Sequence, residues 1–199
     1  MPRARAIRGV GARERFEASP ARAGARAGRS WRVALALLLI WWLAAPAWCA
    51  VTISFYSREL GGNNFPHAFV VLDGTLDATG ERVRGSYGFT AKTITPAILL
   101  GSVAGEVIEQ SPGYIAHSDR QFALTIGDAQ YRAVMGVVEQ WRGLPQPSYN
   151  LNRRNCVHFV AAIAAAVGLT VDYPRRLMKR PRSYLEHVRS LNPRLLAEN

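Results

Sequence analysis

The chain has 199 residues, enough for one domain of ordinary size, and 49% of them are hydrophobic. Its formal net charge is +11, but nine arginines against two glutamates give residues 1–50 a balance of +7, whereas sixteen basic against twelve acidic residues give residues 51–199 only +4. Because the excess charge lies mostly in the N-terminal segment, it is a weak indication of nucleic-acid binding by a folded domain, and we expect no nucleic-acid partner.

The N-terminal segment, residues 1–50, has the pattern of an export signal. A basic stretch ends at Arg32, an apolar run follows at residues 33–43, and Ala-Pro-Ala at residues 45–47 fits the small-residue pattern of a cleavage site. The sequence therefore predicts a basic N-terminal region followed by a signal peptide.

An uncleaved membrane anchor is the alternative interpretation of the same segment. No charged residue occurs between Arg32 and Arg58, which is long enough for a span of about 20 residues, although Pro46 interrupts it. In both cases the basic residues before the apolar run are expected to stay in the cytoplasm. Residues 51–199 are then translocated to the other side of the membrane. We expect an exported protein, in the bacterial periplasm or anchored facing it, with residues 33–56 as the segment that associates with the membrane.

Only two cysteines occur, Cys49 and Cys156. If cleavage removes Cys49, the mature protein keeps one thiol, which cannot form an internal disulfide. Cys156 is then either a small apolar residue packed in a helix or a thiol that performs chemistry.

The first half of the domain, from residue 51, reads mainly as strands. Runs rich in β-branched and aromatic residues, or runs that alternate apolar and polar residues, predict them between turn signals. The expected strands are at residues 51–56, 68–72, 82–89, 106–110 and 121–126.

The strands at 68–72 and 82–89 form a predicted hairpin. If the centre of the hairpin lies near Asp77, Tyr87 falls opposite His67. His67 lies at the end of the first hairpin strand that is away from the turn.

Helices dominate the second half. Besides a short helix from residue 97, they are expected at residues 129–142, 156–167 and 181–191, and a stripe at helical spacing in the first of these three marks a core face, formed by Tyr131, Val134, Met135, Val138 and Trp141. The Gly-Asp pair at 127–128 is expected to cap that helix. The sequence thus predicts an α+β domain with a small antiparallel sheet packed against about three helices.

Cys156 stands at the first turn of a predicted helix that Asn155 caps. The positive end of the helix dipole favours a thiolate, so we expect a lowered pKa for Cys156. Free N–H groups at the helix start could stabilise an oxyanion.

A histidine at the start of a strand, His67, is the candidate general base for this thiol. His158 lies two residues after Cys156 and faces another side of the helix, so a capping or packing role suits it better. His117 and His187 are expected on the surface. The His and Cys positions do not have the close spacing of a metal site, and no metal or cofactor is expected.

These motifs resemble one enzyme superfamily. Asn155-Cys156-x-His158-Phe159 before an Ala-rich helix, with His67 upstream at a strand, is similar to the circularly permuted branch of the NlpC-type papain-like superfamily, which includes lecithin:retinol acyltransferase-like and YiiX-like proteins. Members of this branch place histidine before cysteine. The resemblance covers roughly residues 51–170 and implies a circularly permuted papain-like fold.

By this resemblance Cys156 corresponds to the nucleophile and His67 to the base. The third, orienting residue of the family usually lies on the strand after the histidine, where this chain offers Ser86 and Tyr87 but no His, Asp or Gln. Tyr87 is the expected third residue from the hairpin register, and Asp73, at the far end of the histidine's own strand, is a weaker candidate.

The resulting hypothesis is an exported cysteine-dependent hydrolase or acyltransferase that forms an acyl-enzyme on Cys156. Its expected substrate carries an amide, as in a cell-wall (peptidoglycan) peptide, or an ester, as in a lipid. The alternative is a noncatalytic envelope protein that uses the papain-like scaffold of residues 51–199 for binding.

Overall fold

Five antiparallel strands form the sheet of this computed structural model, which describes residues 50–59 and 65–197. The strands are β1 (Val51–Arg58), β2 (His67–Thr75), β3 (Arg82–Ala91), β4 (Gly105–Ile108) and β5 (Asp119–Ile126). Their order across the sheet is β4-β3-β2-β1-β5, and each neighbouring pair is antiparallel. The strand β1 therefore lies inside the sheet, between β2 and β5.

The chain divides into two compact units, Met1–Ala47 and Trp48–Asn199, and every described residue belongs to the second. The predicted signal or anchor segment and Cys49 lie outside the described residues. The core cluster extends from Val51 to Val188, so the second unit holds a hydrophobic core of its own, the usual condition for folding alone. Within the described ranges, no helix has the length and apolar character needed to cross a membrane.

In the described part of the chain, two short helices lie between the later strands, and four helices follow the last strand. They are α1 (Ala97–Leu100), α2 (Pro112–Ala116), α3 (Asp128–Arg142), α4 (Cys156–Ala166), α5 (Pro181–Leu191) and α6 (Pro193–Ala197). The mixed α+β class, the antiparallel sheet and the three longer helices are thus confirmed. The short helices α2 and α6 were not expected, although Ser111 followed by Pro112 is a recognisable start signal for α2.

The core-facing stripe of α3 is confirmed, because Val134 and Val138 are buried and Tyr131, Met135 and Trp141 pack partly buried against the core. The expected cap is confirmed for one residue of the Gly-Asp pair. Gly127 is the N-cap, and the Asp128 carboxylate instead accepts hydrogen bonds from the backbone N–H groups of residues 77 and 78 in the β2–β3 turn, at 2.9 and 3.0 Å.

The register of the β2–β3 hairpin also differs from the expectation. Tyr87 pairs with Val70 instead of His67. The turn closes with a hydrogen bond from the N–H of Leu76 to the carbonyl of Glu81, so the centre of the hairpin lies between residues 78 and 79. Because a shift of the centre moves each cross-strand partner by twice that shift, the predicted partner was wrong by three residues.

The helix α4 is almost entirely enclosed. Seven of its eleven residues are buried, and they face both the sheet and the neighbouring helices. A helix that is apolar nearly all round belongs in a core. Its first residue is Cys156, so the core itself fixes the position of the thiol.

Candidate active site

The start of α4 is held by the side chain of Asn155, which is 3% exposed. Its Oδ1 accepts hydrogen bonds from the N–H groups of Val157 and His158 at 2.9 and 3.3 Å. Its Nδ2 donates to the carbonyls of Leu151 and Met178 at 2.9 and 2.7 Å. All four bonds fix the backbone on both sides of Cys156.

His158 completes this cap. Its Nδ1 lies 3.3 Å from the Asn155 N–H and 2.9 Å from Asn155 Oδ1, and its ring stacks on Tyr173 with centroids 6.3 Å apart. These contacts match the expected capping and packing role. Asn155 already binds the N–H groups of Val157 and His158, so they are not free for an oxyanion as the sequence suggested.

His67 is the first residue of β2, and its ring is held on several sides. The ring stacks on Phe69 with centroids 6.0 Å apart and meets the edge of Tyr114 at 6.5 Å. A Cβ atom on Gly88 of β3 would lie 2.5 Å from His67 Nε2, so only glycine leaves room for the ring there. The histidine side chain therefore crosses over the neighbouring strand.

A residue that the sequence reasoning missed, Gln110, contacts the far nitrogen of this ring. Gln110 Nε2 lies 3.3 Å from His67 Nε2. Ser86 holds Gln110 in place, since its Oγ accepts from the Gln110 N–H at 2.7 Å and donates to the Gln110 carbonyl at 3.2 Å. The sequence contained a signal for Gln110, because it ends the predicted strand at 106–110. This strand lies one position further across the sheet than the strand after the histidine, where the third residue was expected.

The structure does not bring Tyr87 or Asp73 to His67. Tyr87 lies under the guanidinium of Arg142, 5.5 Å from its ring centroid, and burial with nearby Glu109 raises its pKa. Asp73 forms an ion pair with Arg82 at the other end of the hairpin, with an N–O distance of 3.0 Å. Tyr87 was expected beside His67 from a hairpin register that the structure does not have.

Cys156 and His67 line one cavity of about 700 Å³, together with Gln110 and the two tyrosines Tyr114 and Tyr149. The backbone N–H of Ala68, the residue after His67, hydrogen-bonds to the Cys156 sulfur and opposes the rise of its pKa. The cavity thus unites two side chains that are 89 positions apart in the sequence.

Burial keeps this pair neutral. It raises the pKa of the Cys156 thiol to about 11, against the smaller opposing effect of nearby backbone N–H groups, and lowers the pKa of His67 to about 4. The expectation of a lowered thiol pKa from the helix dipole is wrong for this structure, because desolvation is the larger effect. Near neutral pH the resting site contains a thiol and an uncharged imidazole.

The phenol groups of Tyr149 and Tyr114 interact electrostatically with the Cys156 sulfur. Burial raises the pKa of Tyr149 and of Tyr114, and a negative charge on Cys156 would raise both further. Arg58 lies over the Tyr114 ring at 4.5 Å and donates to its carbonyl at 3.3 Å. The tyrosine hydroxyls are therefore polar groups near the thiol in a largely apolar cavity.

The remaining histidines lie elsewhere. His117 Nδ1 is 2.7 Å from the Gly113 carbonyl, and His187 Nε2 is 2.7 Å from the Asp172 carboxylate. In the part of the chain that the structure describes, no three His, Cys, Asp or Glu side chains are grouped so as to hold a metal ion.

Comparison with known proteins does not identify a family for this chain. No family model matches the sequence, and no curated protein matches it. Among solved structures, the chain is similar to the crystal structure of the type VI secretion system effector TseH, with a TM-score of 0.47 and 16% identity over 72% of this chain and 90% of that one. A likeness of this size identifies neither a family nor a reaction.

The low pKa of His67 makes stability depend on pH. Between the ordinary value of 6.5 and about 4, the unfolded chain binds a proton at His67 that the folded chain does not. The free energy of unfolding should therefore fall as the pH is lowered through this window, by about 3 kcal/mol in all, and His67 should contribute no further loss below it.

Urea unfolding of wild type and His67→Gln at pH 7 and at about pH 4 measures this effect. The wild-type protein should lose about 3 kcal/mol more than the variant. Other groups, including the partly buried His158, titrate in both proteins and cancel in the comparison. Equal losses in the two proteins would contradict a buried, neutral His67.

Proposed function

We propose that this chain is an exported thiol hydrolase or acyltransferase of the circularly permuted papain-like type. One observation carries the proposal: Cys156 at the start of a buried helix and His67 at the start of β2 line the same cavity, and Gln110 contacts the far nitrogen of the imidazole. Nucleophile, base and orienting group are the parts that covalent acyl transfer requires.

Chain order supports the permuted type. His67 and its sheet come before Cys156, whereas the thiol helix comes first in ordinary papain-like enzymes. All five strands precede α4 in this chain. The histidine-first order is the one predicted from the resemblance. In this chain α4 packs on a sheet whose five strands all come earlier in the sequence.

The reaction uses the neutral pair directly. His67 Nδ1 takes the thiol proton as the sulfur attacks an amide or ester carbonyl, so a carbon–sulfur bond forms. When the carbon–nitrogen or carbon–oxygen bond breaks, the imidazolium returns the proton to the leaving group. Water or another acceptor, deprotonated by His67, then attacks the thioester and releases the thiol of Cys156.

The orientation of the Gln110 amide determines which tautomer of His67 it stabilises. With its nitrogen toward His67 Nε2, as in the structure, it donates to Nε2 and favours the tautomer with the ring proton on Nδ1. After a half-turn of the amide, its oxygen accepts a hydrogen bond from Nε2–H of the other tautomer, in which the proton has moved from Nδ1 to Nε2 and Nδ1 is free to act as the base. The two hydrogen bonds between Ser86 and Gln110 involve the Gln110 backbone, so the side-chain amide is free of them.

The oxyanion needs donors other than the capped helix start. The N–H of Cys156 reaches its own sulfur, and the hydroxyls of Tyr114 and Tyr149 belong to the same cavity. These three groups are the candidates for stabilising the tetrahedral intermediate. The proposed substrates are a cell-wall peptide, cleaved at an amide, and a lipid, cleaved at an ester.

A noncatalytic binding protein is the second candidate function. The raised pKa of Cys156 favours it, because the thiolate is the reactive form and is scarce at neutral pH in the resting site. In this alternative the cavity binds an envelope component without covalent chemistry.

Variants of the site test the enzymatic proposal. Residues 48–199 are incubated with peptidoglycan fragments and with phospholipid vesicles, and the products are measured by mass spectrometry. Cys156→Ser and His67→Ala should each lower turnover on the order of a thousandfold or more, and the double variant little further, because the two groups act as one unit. Full turnover by either single variant would contradict these roles.

The third residue is tested in the same assay. Gln110→Ala should lower kcat by about 10- to 100-fold and shift the pH profile of kcat/KM, since Gln110 acts through His67. Tyr87→Phe is the matched control and should keep wild-type turnover. A large loss in Tyr87→Phe with none in Gln110→Ala would return the third position to Tyr87.

Alkylation by iodoacetamide separates the enzyme from the binding protein. With a thiol pKa of about 11, wild-type Cys156 should react slowly at pH 7 and faster up to about pH 11. If His67 accepts the thiol proton, His67→Ala should slow the reaction at pH 7 several-fold. An unchanged rate in a variant that still folds would favour the binding protein.

We also propose that the chain is exported, to the periplasm or to a membrane anchor that faces it. The basic region, the apolar run at 33–43 and Ala-Pro-Ala at 45–47 support this. N-terminal sequencing of protein from the cell envelope should find a start between residues 48 and 51. Full-length protein in the membrane would favour the anchor, and full-length protein in the cytosol would contradict export.

A further inference from the structure

The mouth of the Cys156 cavity carries large apolar side chains that face solvent. Phe65 is 59% exposed, Ile94 55%, Leu99 78% and Leu100 90%. We call these four residues the apolar rim. Phe65, Ile94 and Leu99 line the cavity itself, and Leu100 is the next residue of α1.

The helix α1 has no core contact that explains these leucines. None of its four residues is buried, although all four are apolar. Single exposed apolar residues are ordinary on a protein surface, but a group of large ones around a cavity mouth is typical of an interaction site.

Basic residues outnumber acidic ones next to the cavity lining in the sequence. Lys179 lines the cavity, Lys92, Arg154 and Arg180 each adjoin a lining residue, and one acidic residue, Glu109, does so too, between Ile108 and Gln110. No aspartate or glutamate is among the described residues that line the cavity.

These four cations also lack partners of opposite charge. Within residues 50–59 and 65–197, none has a carboxylate within ion-pair distance, whereas basic residues elsewhere, such as Arg82 and Arg142, do form ion pairs. The mouth therefore combines exposed apolar groups with unneutralised positive charge.

We propose that this mouth docks on the surface of an anionic lipid bilayer, with the apolar rim inserted among the acyl chains and the four cations at the headgroup phosphates. Apolar groups flanked by lysine and arginine are the combination that binds such an interface. An acidic solute without an apolar surface would satisfy the cations but would leave Leu99 and Leu100 in water. Docking would bring the opening of the cavity against the membrane.

This inference goes beyond the proposed reaction and does not require it. Cys156→Ser should bind vesicles as the wild-type protein does, so a failure of the catalytic proposal leaves the docking proposal standing, and the reverse also holds.

Cosedimentation of residues 48–199 with vesicles provides the test, because this unit has its own core and lacks the apolar run at 33–43. The vesicles are phosphatidylcholine alone and an equal mixture of phosphatidylcholine and phosphatidylglycerol. Wild type should bind the mixture more strongly, and added salt should weaken this binding.

The apolar rim is tested with the double variant Leu99→Asn/Leu100→Asn. It should lower the partition coefficient about tenfold or more, because two leucines no longer leave water on docking. Leu191→Asn/Leu195→Asn is the matched control: both leucines are exposed, at 37% and 49%, and neither lines the cavity. It should bind as wild type.

The charges are tested with Lys92→Gln/Lys179→Gln. This variant should lose binding to the mixed vesicles by several-fold while keeping its weaker binding to phosphatidylcholine. Arg82→Gln/Arg84→Gln is the matched control with the same change in net charge, on the far end of the hairpin, beside Asp73.

Three results would overturn the proposal: no vesicle binding by the wild-type protein, equal losses in the Leu99/Leu100 and Leu191/Leu195 variants, or self-association. In the last case, sedimentation equilibrium would show a dimer that Leu99→Asn/Leu100→Asn dissociates, and a second copy of the chain would be what covers the rim. Circular dichroism and thermal unfolding confirm that each variant folds.

Discussion

The hydrogen bonds of one buried amide, Asn155, hold the site together. The helix α4 begins inside the protein, where its first N–H groups cannot reach water, and an uncapped start there would leave buried donors unsatisfied. Asn155 satisfies two of them and ties the same point to the carbonyls of Leu151 and Met178. The enclosed helix, the loop before it and the segment before α5 thus meet at one residue, and the position of the Cys156 thiol follows from it.

The same enclosure determines the electrostatics of the site. The helix dipole contributes about 0.3–1 kcal/mol toward a thiolate, and up to about 2 kcal/mol in a partly buried geometry. The shift of the Cys156 pKa from 9.0 to about 11 corresponds to about 3 kcal/mol in the opposite direction. Burial therefore exceeds the dipole, and the imidazole is neutral for the same reason. A site of this kind does not store an ion pair, so in the proposed reaction the base takes the proton only as the sulfur attacks.

Local patterns in the sequence were sufficient for much of the fold. Asn155 before an apolar, Ala-rich run predicted both the cap and the helix that starts at Cys156, and short apolar or alternating runs between turn signals predicted the five strands. These features depend on residues within a few positions of one another. The contact between His67 and Gln110 does not depend on neighbouring residues alone. It requires the order of strands across the sheet, the close approach of His67 to Gly88 and the hydrogen bonds between Ser86 and Gln110.

Two of the errors at the site have the same origin. Tyr87 was placed by a turn centre near Asp77, but the turn closes between Leu76 and Glu81, a difference that only the folded hairpin reveals. The pKa of the Cys156 thiol was predicted from the helix dipole, which is a local property. The burial that reverses the direction of the predicted shift comes from β2 and the rest of the core. Sequence patterns thus selected the candidate side chains, and long-range packing determined both their partners and their charge. The apolar surroundings that keep Cys156 and His67 neutral continue outward to the cavity mouth, so any molecule that enters there leaves water before it reaches the thiol. Within such surroundings, a hydrogen bond from Gln110 or a tyrosine hydroxyl acts more strongly than it would in water.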